Sequence, residues 1–129
     1  NTLKIKKIKN IKLPVSAPFH CKLMDKATSI MSDKINNTNF EKPKNAIISN
    51  VTGEETQEIE KIKNLLIKQI ESPVRWRESV IYMIKNGVRN FIEIGPGKVL
   101  SGLVKRIDKT INVNTINKLE DLKDIKLND

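Results

Sequence analysis

Hydrophobic positions along the chain switch between two rhythms, and the switches mark out the elements. Leu3 and Ile5 alternate with Lys4 and Lys6, and Pro14 and Pro18 bar a helix, so residues 1–19 read as extended. From Lys22 to Asn37 the apolar positions Leu23, Ala27, Ile30, Met31 and Ile35 recur at helical spacing, and a loop bearing Asn and Pro, Asn36 to Lys44, ends that helix. Ala46-Ile-Ile-Ser-Asn-Val51, closed by Thr52-Gly53, predicts a buried strand and a turn. Glu54 to Ile70 predicts a helix with Ile59, Ile62, Leu66 and Ile70 in one stripe and acidic residues in its first turn. Ser72-Pro73 supplies an N-cap and a first helical proline for a second helix carrying Trp76, Val80, Met83 and Ile84 and ending at Asn86-Gly87.

A strand at Asn90–Ile94, the turn Gly95-Pro96-Gly97, and a helix turning Val99, Leu100, Leu103, Val104 and Ile107 inward come next. Ile111–Ile116 reads as a last strand and Lys118–Lys126 as a terminal helix. Strands alternating with helices predict an α/β layered fold with neighbouring strands parallel. The 129 residues suffice for one domain burying roughly two-thirds of its unfolded surface. No internal repeat or linker divides them. The chain opens on Asn1, and its first stretch reads as the tail of an element begun earlier, which leads us to expect a part of a larger protein.

Charge changes this picture little. The formal net charge of +9 invites a nucleic-acid reading. However, 20 Lys, 14 Asn and 19 Ile stand against four Arg, a skew that an AT-rich coding sequence imposes on any fold. The lysines are scattered, arginine is scarce, and aromatics are too few for a base-stacking platform. No nucleic-acid partner is expected; a general attraction to acidic partners is. The single cysteine, Cys21, excludes a disulfide framework and a cysteine zinc site and fits a reducing, cytoplasmic compartment. No apolar run reaches the roughly 20 residues of a membrane span, and the basic start lacks the apolar core of a signal peptide.

Candidate chemistry converges on the only histidine. His20 follows Pro14-Val-Ser-Ala-Pro-Phe19, where an extended segment stops and a helix begins, so its ring is held at a bend. Imidazole titrates near neutrality and is the default general base once positioned. Cys21 beside it reads as a small, half-buried thiol, because adjacent residues of an extended segment point to opposite sides. Gly95-Pro96-Gly97-Lys98 resembles a phosphate-cradling loop, but Val99 follows the lysine and the required earlier glycine is missing. It reads as a tight turn for close strand–helix packing. Glu93 is the most suggestive acid, and a salt bridge or a helix-end hydrogen bond is its plain explanation. One histidine and no paired carboxylates leave too few ligands for a metal. His20 also lacks a nucleophile, since no G-x-S-x-G elbow occurs in the chain.

Four segments then match a known family in order: Leu13-Pro-Val-Ser-Ala-Pro-Phe-His-Cys-Lys-Leu-Met24, Ile48-Ser-Asn-Val51, Lys68-Gln-Ile-Glu-Ser-Pro-Val-Arg-Trp76, and Glu93-Ile-Gly-Pro-Gly-Lys-Val-Leu-Ser-Gly-Leu103 running on to Lys105-Arg-Ile107. The chain resembles the C-terminal portion of bacterial malonyl-CoA:acyl-carrier-protein transacylases. That resemblance implies part of an α/β-hydrolase-like acyltransferase core over 13–117. It also implies a last strand of a small ferredoxin-like subdomain at 1–12 and a tail helix at 118–129.

The activity it implies is ping-pong transfer of a malonyl group from malonyl-CoA to the phosphopantetheine thiol of an acyl carrier protein in fatty acid synthesis. No cofactor is needed, and the whole enzyme would be a monomer. His20 matches the family's proton-accepting histidine. Gln69 matches a glutamine whose main-chain carbonyl orients that ring, and Phe19 matches a position that crowds branched extenders. The nucleophilic serine, the carboxylate-binding arginine and the oxyanion loop have no counterpart in this sequence, so the chain alone is expected to transfer nothing. Two alternatives stay open. One is the acyltransferase domain of a polyketide or multidomain fatty acid synthase, and the other is a non-catalytic basic binding module.

Overall fold

The computed structural model describes residues 5–9 and 18–124. A 3-10 turn at Lys22–Met24 leads into α1 (Asp25–Asn37), followed by the short strands β1 (Ile47–Ile48) and β2 (Glu55–Thr56). Two helices come next, α2 (Ile59–Gln69) and α3 (Trp76–Lys85). Then come β3 (Asn90–Ile94), α4 (Val99–Ile107), β4 (Asn112–Ile116) and a 3-10 segment at Leu119–Asp124. The fold is α/β, as the alternation of rhythms predicts.

The core sits in the βαβ unit. β3 and β4 pair in parallel, in register from Asn90 with Asn112 to Ile94 with Ile116. Parallel neighbours need a crossover, and α4 supplies it, packing on both strands and on α3. Val80 of α3, Val104 of α4 and Ile111 just before β4 are 0, 2 and 1 % exposed. Trp76, Met83, Ile84, Phe91, Ile107 and Val113 close around them. Each fully buried aliphatic side chain there contributes roughly 1.5–3 kcal/mol. Because strand side chains alternate, Phe91 faces this cluster while Ile92 and Ile94 stand on the opposite, exposed face of β3.

Several expected boundaries moved, each for a local reason. The expected strand over Ala46–Val51 is only Ile47–Ile48, and it pairs antiparallel with Glu55–Thr56. This is a hairpin: Ser49 N–H donates to the Glu54 carbonyl and Gly53 N–H to the Ser49 carbonyl, with Gly53 at φ 73°. The residues drawn into the hairpin are lost to the following helix, which starts at Ile59 and not at Glu54. α3 starts at Trp76 and not behind a Ser72 cap. Ser72 N–H is still bound to the Lys68 carbonyl of α2, and Arg75 N–H is held by the Asn50 carbonyl.

The terminal helix is a 3-10 segment in which the Asp121 carboxylate accepts from the N–H groups of Asn117 and Lys118. The end of that expected helix, 125–126, lies outside the described residues. Of the expected strand over 1–12, residues 5–9 are described. They turn at Lys6 and Lys7, with Lys7 at φ 54°, and belong to neither described sheet. The rest of that strand, and Leu13 to Ala17, lie outside the described residues.

The apolar stripe of the first helix is only partly inward: Ala27 and Ile35 are half-buried where α1 packs on α2, whereas Leu23, in the preceding 3-10 turn, and Ile30 and Met31 are exposed. Val99 and Leu100 of α4 are exposed too, so only Val104 and Ile107 of the expected inward set join the core cluster.

Replacing Ile111 by Ala is expected to lower stability by about 2–5 kcal/mol, since a fully buried side chain leaves a cavity. Ile94→Ala, at a position 79 % exposed, is expected to change stability by no more than ~0.5 kcal/mol. Urea unfolding of the two variants checks the assigned core; equal losses would contradict it.

Candidate active site

The C-terminus of α2 leaves carbonyls without helical partners, as every helix end does. The N–H of Ile70 returns to Ile67, and those of Glu71 and Ser72 return to Lys68, so none of the three takes the Gln69 carbonyl. That carbonyl oxygen instead lies 3.0 Å from Nδ1 of His20, 49 residues earlier in sequence. A carbonyl can only accept, so Nδ1 carries the proton in the neutral ring and Nε2 presents its lone pair outward. The ring is exposed. It also sits at the C-terminal, negative end of the α2 dipole.

The turn that delivers the ring is strained. His20 adopts φ 60°, the left-handed region that a non-glycine residue enters at a cost of roughly 1–3 kcal/mol. Local contacts hold it there. Cys21 Sγ–H donates to the Pro18 carbonyl at 3.1 Å across the turn, and Met24 N–H donates to the Cys21 carbonyl at 3.0 Å to open the 3-10 turn. The thiol is thus engaged structurally. Phe19, next to His20, is 63 % exposed, and no described residue encloses it as a pocket wall.

Gln69 is fixed from its other side. Its Oε1 accepts from Asn50 Nδ2 at 3.2 Å, and the Asn50 carbonyl accepts from Arg75 N–H at 2.9 Å. Asn50 stands at the hairpin corner. The turn below it presses on α3: a Cβ added to Gly53 would lie 3.2 Å from Cβ of Glu78. Ile48-Ser-Asn-Val51 is one of the segments that match the family, but nothing in the sequence gives Asn50 a role. The missing signal was the distance between Asn50 and Gln69 in the fold, which no periodicity reveals.

The glycine loop is spoken for by its own chain. Glu93 turns its carboxylate back onto the N-terminus of α4, accepting from Leu100 N–H at 3.1 Å and Ser101 N–H at 2.7 Å. Gly95 and Gly97, at φ 139° and 95°, give the backbone this return. The Ser101 side chain, the Ser101 N–H and the Leu100 N–H together hold the Glu93 carboxyl below its ordinary value. The buried Ser101 hydroxyl makes no well-formed hydrogen bond, so it acts by proximity while the two N–H groups bind directly. Helix-end hydrogen bonding, one of the two plain explanations for Glu93, is what the structure places there.

Clefts of about 760 and 600 Å3 lie elsewhere, beside Lys42 and residues 55–61 and between α3 and α4. Neither is lined by His20 or Gln69. Among the described residues no three His, Cys, Asp or Glu gather to hold a metal, and no helix is long and apolar enough to cross a membrane.

No protein-family model matches the chain. A malonyl CoA-acyl carrier protein transacylase of Staphylococcus aureus is 41 % identical to it over 117 residues, which is 91 % of this chain and 38 % of that protein. Over nine-tenths of its own length this chain is thus similar to malonyl CoA-acyl carrier protein transacylases. It spans under two-fifths of the length of the curated relatives it matches first. The crystal structure of the transacylase from Clostridium perfringens superposes with a TM-score of 0.85 at 41 % identity, over 95 % of this chain and 39 % of that one. A malonyl-transacylase bound to a type II PKS acyl-carrier protein, PlMCAT with AntF, superposes at 0.84 with 36 % identity, over 93 % of this chain and 39 % of that one. The described residues of this transacylase homologue thus share the fold of solved transacylases.

Glu93 gives the junction of β3 and α4 a pH signature. Its carboxyl is lowered in the folded chain, so the unfolded chain binds the proton more readily. The stabilisation is therefore complete above the ordinary carboxylate range and lost as pH falls through the lowered value. Glu93→Gln is expected to be less stable than the parent at neutral pH, and the gap is expected to close as the solution is acidified. Urea midpoints taken across the acidic range check this; a gap independent of pH would contradict it.

Proposed function

We propose that this chain supplies the histidine half of a Ser–His acyltransferase. The reaction moves malonyl from malonyl-CoA to the phosphopantetheine thiol of an acyl carrier protein, in the cytoplasm, on an α/β-hydrolase-like core. The observation that carries the reading is the 3.0 Å contact between His20 Nδ1 and the Gln69 main-chain oxygen, which directs the free Nε2 outward as a base. The names borne by the relatives in sequence and structure support the substrates. In this reading a serine hydroxyl, on polypeptide other than these 129 residues, gives its proton to Nε2 as Oγ attacks the malonyl thioester carbon. Nε2–H then protonates the departing coenzyme A sulfur. In the second half the carrier thiol gives its proton to Nε2, its sulfur attacks the malonyl ester, and the serine oxygen takes the proton back. The cycle closes on hydroxyl, imidazole and thiol, so it calls for no electron carrier or metal. Phe19, beside the base, would border the acyl group and disfavour branched extenders.

The test joins this chain, or its His20→Ala variant, with a polypeptide bearing the serine elbow and follows the mass gained by the carrier protein. Transfer is expected to fall about 10²–10⁴-fold in the variant, the weight of one general base. The chain by itself is expected to transfer nothing. Full transfer by His20→Ala, or transfer by the chain alone, would sink the proposal.

A further inference from the structure

We propose that Asn50 is a positioning residue that sets the protonation pattern of the His20 ring through Gln69. The geometry requires only the contacts described above; its use in catalysis rests on the reading of His20 as the base. Gln69 is the last residue of α2, where helices fray. A carbonyl on a fraying turn is a poor fixed acceptor, because a hydrogen bond weakens steeply with small changes in angle. Asn50 removes that freedom from two directions. Its side-chain amide holds the Gln69 side chain at 3.2 Å, and its own carbonyl holds Arg75 N–H at 2.9 Å. One residue thereby clamps both ends of the α2–α3 connection.

The clamp is itself anchored. The hairpin it caps is closed by the Ser49–Glu54 and Gly53–Ser49 hydrogen bonds and lies against Glu78 of α3. Asn suits this place because it joins a short side-chain donor to an open carbonyl. Ala would keep the carbonyl and the Arg75 bond while losing the grip on Gln69. That separation makes the role testable.

The chain holds one histidine, so a single imidazole is observed without assignment. In the 15N-labelled chain, long-range proton–nitrogen spectra at a pH where the ring is neutral read the ratio of Nδ1–H to Nε2–H tautomers. The Nδ1–H form is expected to dominate. In Asn50→Ala the ratio is expected to fall roughly 2- to 10-fold, the weight of one net hydrogen bond. Gln69→Ala keeps the accepting carbonyl but removes the same side-chain contact, so it is expected to produce a similar fall. The double variant is expected to add nothing further.

Amide exchange in β3 and β4 reports that each variant is folded; should Asn50→Ala fail to fold, Gln69→Ala carries the test. An unchanged ratio in a folded single variant, or additive falls in the double variant, would overturn the proposal. The two readings fail separately. A shifted ratio together with full transfer by His20→Ala removes the base and leaves the clamp. An unshifted ratio with transfer lost in His20→Ala removes the clamp and leaves the base.

Discussion

One unpaired carbonyl organises the candidate site. A helix must end with carbonyls that its own N–H groups cannot reach, and α2 ends so that Gln69 offers one to His20. A side chain in a strained turn is thus tied to a helix 49 residues later, and the tie does three things at once. It offsets the backbone strain at His20, assigns the proton to Nδ1, and presents Nε2 to whatever approaches. Each of these fails if the helix end moves. The hairpin, with Asn50 at its corner and Gly53 packed on α3, is the part of the fold that prevents this.

A second helix end is used in the opposite sense. At α4 the free groups are N–H donors, and Glu93 folds back from β3 to take two of them. The chain therefore fills with its own carboxylate the place where a phosphate-binding loop would hold a ligand. The parallel pair β3–β4 is knit to its crossover helix by the same contact. One helix terminus is closed by the carboxylate of the adjoining strand, whereas the other receives the imidazole of His20. The difference lies in whether a neighbouring strand supplies the missing partner.

Much of this was readable from residues and part was not. The βαβ unit showed clearly because its signals agree: Asn90–Ile94 is a strand with a glycine turn behind it, and Val104 and Ile107 sit at helical spacing. The hairpin was misread because Glu54, Glu55 and Glu58 look like an acidic first helical turn, whereas Gly53 reverses the chain and pairs Glu55 with Ile48. The start of α3 was misread because Ser72-Pro73 has the chemistry of a helix start. The local return of Ser72 N–H to Lys68 in α2 and the long-range bond from Arg75 N–H to Asn50 override it. His20 with Gln69 came from family resemblance, and their meeting is a tertiary fact. The half-exposed stripe of the first helical segment shows the limit of periodicity. Leu23, Ile30 and Met31 have the spacing of a buried face, and spacing states which residues share a side, not what lies against it.

If His20 is the base of the proposed reaction, its pairing with a carbonyl has a consequence for the proposed substrate. In the usual triad a carboxylate faces the imidazole and stabilises the cation it becomes. Malonyl carries its own carboxylate, and a second fixed negative charge near the acyl group would repel it, since like charges interact strongly away from bulk water. A neutral main-chain oxygen fixes the tautomer without that repulsion, and the α2 dipole supplies a fraction of the lost charge stabilisation. What the neutral orienter gives up is stiffness, because a carbonyl at a helix end is easier to displace than a buried carboxylate. That weakness is the one Asn50 is placed to correct. The charge-neutral base and the side-chain clamp on its acceptor are therefore two halves of one arrangement.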